Sequence, residues 1–463
     1  AVRTARTAEA RFLRAFAYFN MVKRYGGVPL ILKAQQLSDS PEELYPKRAT
    51  EEAVYQFILD EMNDIIDNRL LPDAYGAADL GRPTLYAAAA LKSRAAMYAG
   101  SIASWGTVQL DGLVGIPADK KEHFWQESLN ASNRLLYGSP FALYEKYPDD
   151  RSKNYRNIFL DENNCEVIFS EIYDGKSGKG HSWDMWQNPS GYNAWAGGQQ
   201  NCVYLEFVES YENIDGSDPT IDREKVAQYY TWTLDELWGK KDPRFKASIY
   251  TQGTPWTHEG ASVTLDYHVG IFVDGQWIND GFYEGVPALG VCANNWRPTP
   301  FGILKYLDES SAMIPERYYS KTDWIVFRLG EIYLNFAEAA FELNKPDSAL
   351  WAVNKIRARA GMPELQSITR EQIRHERKIE LAFEGNRYWD VRRWRTAVQD
   401  LSHAWHGMRY KLDWATQKYY VEIVDNICGT PEPYFNEMHY YWPIAQSRTQ
   451  QNPNLLPNNP GWR

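Results

Sequence analysis

Cysteine is scarce in this chain: the four residues, Cys165, Cys202, Cys292 and Cys428, stand too far apart for any short metal-ligand or redox spacing. With 463 residues, 44% of them hydrophobic, the chain can fill a core without a disulfide framework, so the four read as buried thiols. Long apolar runs are also missing. Stretches such as LYAAAAL at 85–91 fall far short of the roughly 20 residues that cross a bilayer, and nothing in the chain is expected to span a membrane. Nor is there an excess of positive charge: 50 basic residues against 60 acidic ones give a net charge of -10. That balance disfavours a nucleic-acid partner and leaves uncharged or weakly charged ligands as better candidates.

Signatures of catalysis are equally thin. No HExxH or GxSxG occurs, and the eight histidines show no metal spacing beyond His403 and His406, which lack further ligands nearby. The stretch GKSGKGH at 175–181 has the glycine spacing of a phosphate loop, but His181 stands where lysine is required, so a mobile loop is expected instead. Glu376, Glu380 and Glu384 recur at i, i+4 spacing, and Arg377, Lys378 and Arg387 lie beside them. An ion-paired helix face explains them better than an acid–base pair. No metal, cofactor or catalytic residue is assigned. The chain opens at Ala1 without a methionine or an apolar signal core, so any targeting segment is expected upstream.

What the chain has in quantity is aromatic residues, including 18 Trp and 31 Tyr. The stretch HSWDMWQNPSGYNAW at 181–195 gathers Trp183, Trp186, Tyr192 and Trp195 among polar residues, without a sustained helical stripe or strand alternation. Asn188-Pro189-Ser190-Gly191 is turn chemistry, so the stretch reads as a loop carrying rings. A pyranose ring has apolar C–H faces and an equator of hydroxyls, and its receptor needs aromatic planes together with amides or carboxylates. Trp183, Trp186, Tyr192 and Trp195 supply planes, and Asp184, Gln187, Asn188, Asn193, Gln199 and Asn201 supply hydrogen-bonding partners. Trp256, Trp277 and Trp296, in the same irregular region, extend the candidate platform. Trp324, Trp351, Trp389 and Trp394 lie on or beside expected helices and are assigned to packing.

Helical periodicity brackets this region. Phe12, Phe16 and Phe19 mark an amphipathic helix over 7–25, closed by Gly26-Gly27 and Pro29, and a second helix is expected at about 50–66. Further pairs are read at 82–100 with 124–136, and along the Leu329–Ala340 and Ala349–Ile356 stripes around the Asn344–Asp347 turn. Thr369 and Gln372 fit a capping box opening a helix that runs on towards Trp394. Between 165 and 322 the helical pattern fades, and Asp274-Gly275 predicts a tight hairpin. The expected architecture is all-α, a tetratricopeptide-like stack of helical hairpins at 1–164 and 323–463, with a large loop-rich insertion carrying short strands at 165–322.

Several strings, in order, resemble the SusD/RagB family of surface nutrient-capture lipoproteins: AEARFLRAFAYFNMVKRYGGVPLI near the start, YLEFVESYENIDGSDP at 204–219, DPRFKASIY at 242–250, DWIVFRLGEIYLNFAEAAFELN at 323–344, ERKIELAFEGNRYWDVRRW at 376–394 and the ending YWPIAQSRTQQNPNLLPNNPGW. The resemblance implies a tetratricopeptide-like fold and an N-terminal lipid anchor, upstream of this chain, on the outer face of the outer membrane. It also implies a partner, a SusC-like TonB-dependent barrel transporter, with the protein as its lid and an oligosaccharide as cargo. It implies no catalysis. Members carry a long segment before the AEARFLRA string, which can supply part of the ligand site. The family also includes peptide binders. From a different class, an all-helical glycoside hydrolase would share the helix pairs, tryptophans and acidic residues, but the loop-rich middle and these strings favour the binding protein.

Overall fold

The computed structural model describes residues 2–175, 178–192, 198–293, 299–309, 317–427 and 433–462. Helices lead the chain at Val2–Tyr25, Glu51–Asp67, Leu85–Trp105 and Lys121–Gly138, and return at Leu329–Glu342, Pro346–Ala360 and Arg370–Glu380. The starts follow the cap chemistry in the sequence. Thr50 and Thr84 each accept a backbone N–H of the first turn, and Thr369 with Gln372 completes a capping box. Consecutive helices pack as pairs, and Leu329–Glu342 lies against Lys121–Gly138, so the early and late pairs share one core. Ala87 to Ala90 are buried, and at Gly100 an added Cβ would sit 2.7 Å from the Trp125 indole. Small residues here set how closely two helices can approach.

The helix opened by Thr369 ends at Glu380 instead of running to Trp394. Phe383 and Gly385 take left-handed backbone conformations, and a separate helix, Arg387–Arg393, follows. The break frees carbonyls that an unbroken helix would use, and cations take them: Arg328 Nη2 donates to the Glu380 carbonyl at 2.8 Å and Lys305 Nζ to that of Ala382 at 2.8 Å.

Strands are more extensive than short pieces in an insertion. A five-stranded sheet runs in the order Thr231–Trp232, Lys418–Val424, Gly407–Asp413, His268–Val273, Gln276–Ile278, with one parallel pairing, Gly407–Asp413 beside His268–Val273. Asp274 and Gly275, both at positive φ, make the expected hairpin turn. Val167–Glu171 pairs antiparallel with Trp324–Arg328, which sets Glu171 opposite Trp324. Strand pairing therefore crosses the expected boundary at 322/323, joining 165–322 to the C-terminal part. The cysteines also differ from expectation: Cys292 is buried, but Cys165 is exposed and Cys202 half-buried, because neither falls on a core-facing position; Cys428 lies outside the described residues.

Glu376, Glu380 and Glu384 belong to a buried ionic lattice whose cations come from distant segments, not from the neighbouring Arg377 and Arg387. Arg377 pairs with Asp390 at 2.8 Å, and Arg387 reaches Asp400 at 3.4 Å. Glu380 takes Arg328 at 2.7 Å, Arg244 at 2.9 Å and Arg359; Glu376 takes Arg244 at 2.5 Å; Glu384 takes Arg328 at 2.7 Å and Lys305 at 2.6 Å. Glu166 bridges Arg328 and Arg359 at 2.8 Å each. Burial alone would raise the Glu380 carboxyl, yet Arg359, Arg328 and Arg244 hold it well below the usual carboxylate range. Burial pushes the Lys305 ammonium down to about 8 despite Glu384.

Candidate functional site

The stretch from His181 begins not as a loop but as one turn of helix, Trp183–Gln187. Helical spacing sorts its side chains: Trp183 and Trp186, at i and i+3, line a cavity of about 570 Å³ that the buried Gln187 also borders, while Asp184 and Met185 turn into the core. Trp324 and Tyr306 form another wall. Their rings stack with centroids 5.0 Å apart and planes 28° from parallel, and Trp324 is 37% exposed. Tyr173 and His181 make an edge-to-face pair at 4.8 Å, and Ser182, Gln200, Asn201 and Thr322 complete the lining. Large flat rings surround a space of ligand size, with hydroxyls and amides between them.

Three of the rings are fixed from behind. Trp183 Nε1 donates to the Lys305 carbonyl at 3.1 Å, hanging the cavity wall on the residue whose ammonium is locked into the ionic lattice. Tyr306 sits at φ 66, a backbone conformation rare for an aromatic residue, and its near-complete burial beneath Trp324 holds it there. His181 Nδ1 accepts the Trp183 N–H at 3.1 Å while Nε2 meets the Thr322 carbonyl at 2.9 Å, an arrangement that selects the neutral Nε2–H tautomer. Burial pushes its pKa down as well. Backbone pairing of His181 with Ser320, at 3.1 and 3.0 Å, pins the end of the GKSGKGH stretch; Lys176 and Ser177 lie outside the described residues.

The remaining residues expected at a ligand surface are placed otherwise. Asp184 is 2% exposed, its carboxylate accepting the Asp308 N–H at 3.0 Å. Asn188 is buried and donates to the Tyr192 carbonyl, and Gln199 is buried between Tyr267 and Thr299. These amides tie loops together because a buried backbone needs partners. Tyr192 packs against His258 at 4.8 Å, outside the cavity lining. Trp256, at 3% exposure, packs edge-on to Tyr250 in the core, so its faces are covered. Trp277 belongs to the sheet hairpin, clustered with Phe272 and Tyr420 at 4.9 and 5.4 Å. Asn193, Trp195 and Trp296 lie outside the described residues. Conversely, Trp324, expected to serve packing alone, lines the cavity. A local signal for this exists: Trp-Ile-Val-Phe-Arg is a strand pattern, which puts Trp324 outside while Ile325 and Phe327 are buried. Tyr306 and Tyr173 carry no local signal.

Among the described residues no group of three His, Cys, Asp or Glu side chains can hold a metal ion, and no helix is long and apolar enough to cross a membrane. Burial pushes the Asp184 carboxyl up to about 7. Its folded pKa exceeds the unfolded value of about 3.9, so the stability it contributes is full below that pH and is lost as pH rises towards 7. Asp184→Asn should therefore gain stability relative to the wild type between about pH 4 and pH 7, by up to roughly 1.4 kcal/mol per pH unit. Denaturant melts at both pH values check this; a constant difference would show that Asp184 does not titrate in the window.

Comparison with known proteins places these features. Residues 165–462 match the profile of the SusD family, and residues 3–97 match a profile described as starch-binding, associating with the outer membrane. A SusD-like protein from Bacteroides ovatus is 23% identical over 88% of this chain, which spans 63% of that protein's length. A crystal structure of a SusD-like protein from Bacteroides fragilis superposes with a TM-score of 0.75 at 26% identity, covering 99% of this chain and 80% of the other. A SusD-like carbohydrate-binding protein from the same species gives 0.69 at 24% identity, covering 98% and 80%.

Proposed function

Because the chain belongs to the SusD family, we propose that it is a non-catalytic carbohydrate-binding protein of the outer membrane. It captures oligosaccharide at the cell surface and delivers it to a TonB-dependent transporter, which it covers as a lid. The observation that carries this reading is the cavity, where Trp183, Trp186 and Trp324 present indole rings beside the amides of Gln187, Gln200 and Asn201. Rings cover the C–H faces of a sugar and amides pair with its hydroxyls, which is affinity without chemistry. The most conspicuous carboxylates in the sequence, Glu376, Glu380 and Glu384, are engaged by buried guanidinium and ammonium partners and have no access to a glycosidic bond. Further support comes from the relative described as carbohydrate-binding, and from the outer-membrane wording of the profile matched at residues 3–97.

Surface placement follows in this proposal from a lipid anchor, and uptake from the transporter, since a tethered binding protein cannot itself move cargo across a membrane. Affinity electrophoresis of the purified protein in gels containing soluble polysaccharides should show retardation by at least one. Prolonged incubation with the same polysaccharide should release no new reducing ends. Reproducible turnover would sink the non-catalytic reading. Gentle detergent extraction of native membranes followed by affinity purification should recover a TonB-dependent transporter; recovery of the free protein alone would remove the lid role and leave a stand-alone binder.

A further inference from the structure

The cavity wall has a property that composition does not anticipate. Charged residues make up 24% of the chain, yet no described residue lining the cavity carries a charge: the set is Trp, Tyr, Gln, Asn, Ser, Thr and His181. The histidine is held neutral by its two opposed hydrogen bonds, to the Trp183 N–H and the Thr322 carbonyl. The carboxyl on the same helix turn, Asp184, faces away and is closed off by the Asp308 N–H. Charge of both signs stands just outside this lining: the Arg317 guanidinium lies 5.4 Å over the Trp186 ring, and the Glu171 carboxylate accepts a hydrogen bond from the Tyr173 side chain.

From this we infer that the site selects uncharged oligosaccharides, and discriminates against uronic-acid and sulfated glycans and against peptides. The inference rests on the carbohydrate-binding reading and deepens it. A carboxylate, sulfate or ammonium brought between these walls loses hydration and finds no counter-charge among the described lining residues, and an unpaired desolvated charge is strongly disfavoured. Hydroxyl groups meet no such penalty, because Gln200, Asn201 and Ser182 offer donors and acceptors of matching polarity, with the buried Gln187 and Thr322 behind them. The chain's net charge of -10 adds long-range repulsion for a polyanion. The volume of about 570 Å³ suits a short segment, roughly two or three pyranose units, inside a longer chain.

The test is calorimetry of the full chain against three probe sets of similar length. The first holds neutral hexasaccharides: maltohexaose, cellohexaose, laminarihexaose, mannohexaose and xylohexaose. The second holds acidic ones: hexagalacturonate, an alginate hexasaccharide and a chondroitin sulfate hexasaccharide. The third is a set of charged hexapeptides. At least one neutral probe should bind about tenfold or more tighter than every acidic probe and every peptide. Its Kd should change by less than about twofold between roughly 0.05 and 0.5 M NaCl, because no ion pair forms. An acidic probe that binds tightest, with affinity falling as salt rises, would overturn the neutral class and leave the carbohydrate reading standing. Binding confined to peptides, or to none of the sets, would overturn the carbohydrate reading together with the inference.

Discussion

Glu380→Gln should destabilise the protein by about 3–5 kcal/mol, the cost of breaking a buried ion pair and stranding its partners. The carboxylate is fully buried and receives Arg328 at 2.7 Å, Arg244 at 2.9 Å and Arg359. An amide keeps the shape but withdraws the charge, leaving three guanidinium groups to share Glu166, Glu376, Glu384 and Asp242, which pairs with Arg244 at 2.7 Å. The native carboxyl is held below its unfolded value, so its stabilising contribution is full above about pH 4.3 and is lost as pH falls below it. Urea melts at neutral pH should show the loss, and acid titration should show a shallower pH dependence in the variant than in the wild type. A variant that melts like the wild type while losing ligand affinity would assign Glu380 to the site instead of the lattice.

The second large effect belongs to the cavity rings. Trp186→Ala and Trp324→Ala should each weaken oligosaccharide binding about tenfold, a loss of roughly 1–2 kcal/mol for one stacked ring. Both residues are more than one-third exposed, so their removal opens no core cavity; Trp186→Ala should leave melting little changed, whereas Trp324→Ala uncovers Tyr306 and should lower it modestly. The double variant should approach a hundredfold loss if the rings act independently. Trp183→Ala differs, since Trp183 also donates to the Lys305 carbonyl and packs on two core clusters; it should lose both affinity and stability. Unchanged affinity in all three variants would move the ligand surface elsewhere on the molecule.

How far these features can be read from sequence depends on how local their causes are. Thr369 with Gln372, Asp274-Gly275 and the Phe12, Phe16, Phe19 stripe act within a few residues, and each produces the expected element. Trp183 and Trp186 are legible as candidates because their polar neighbourhood excludes an ordinary core segment. Which of their neighbours faces the cavity is not, because Asp184 and Asn188 differ from Gln187 only in their angle around one short helical turn. Tyr306 and Tyr173 reach the site through strand pairing and a left-handed backbone, and nothing near them in the sequence records that. The lattice shows the same limit. Its glutamates are readable as ion-paired, but Glu380 draws Arg244 from 136 residues upstream, whereas local spacing points to Arg377 and Arg387.

The lattice also bears on how the chain unfolds. Its members come from residues 166, 244, 305, 328, 357–359 and 376–384, which is to say from the irregular middle and from the late helices alike. No subset can leave water favourably on its own, because each charge depends on a counter-charge delivered by a different segment. The middle and the late helices should therefore melt together, as one cooperative unit, so that intrinsic tryptophan fluorescence and far-ultraviolet circular dichroism trace the same single transition. Limited proteolysis under native conditions should accordingly yield no stable fragment ending near residue 322, however loosely the intervening loops are drawn over the surface.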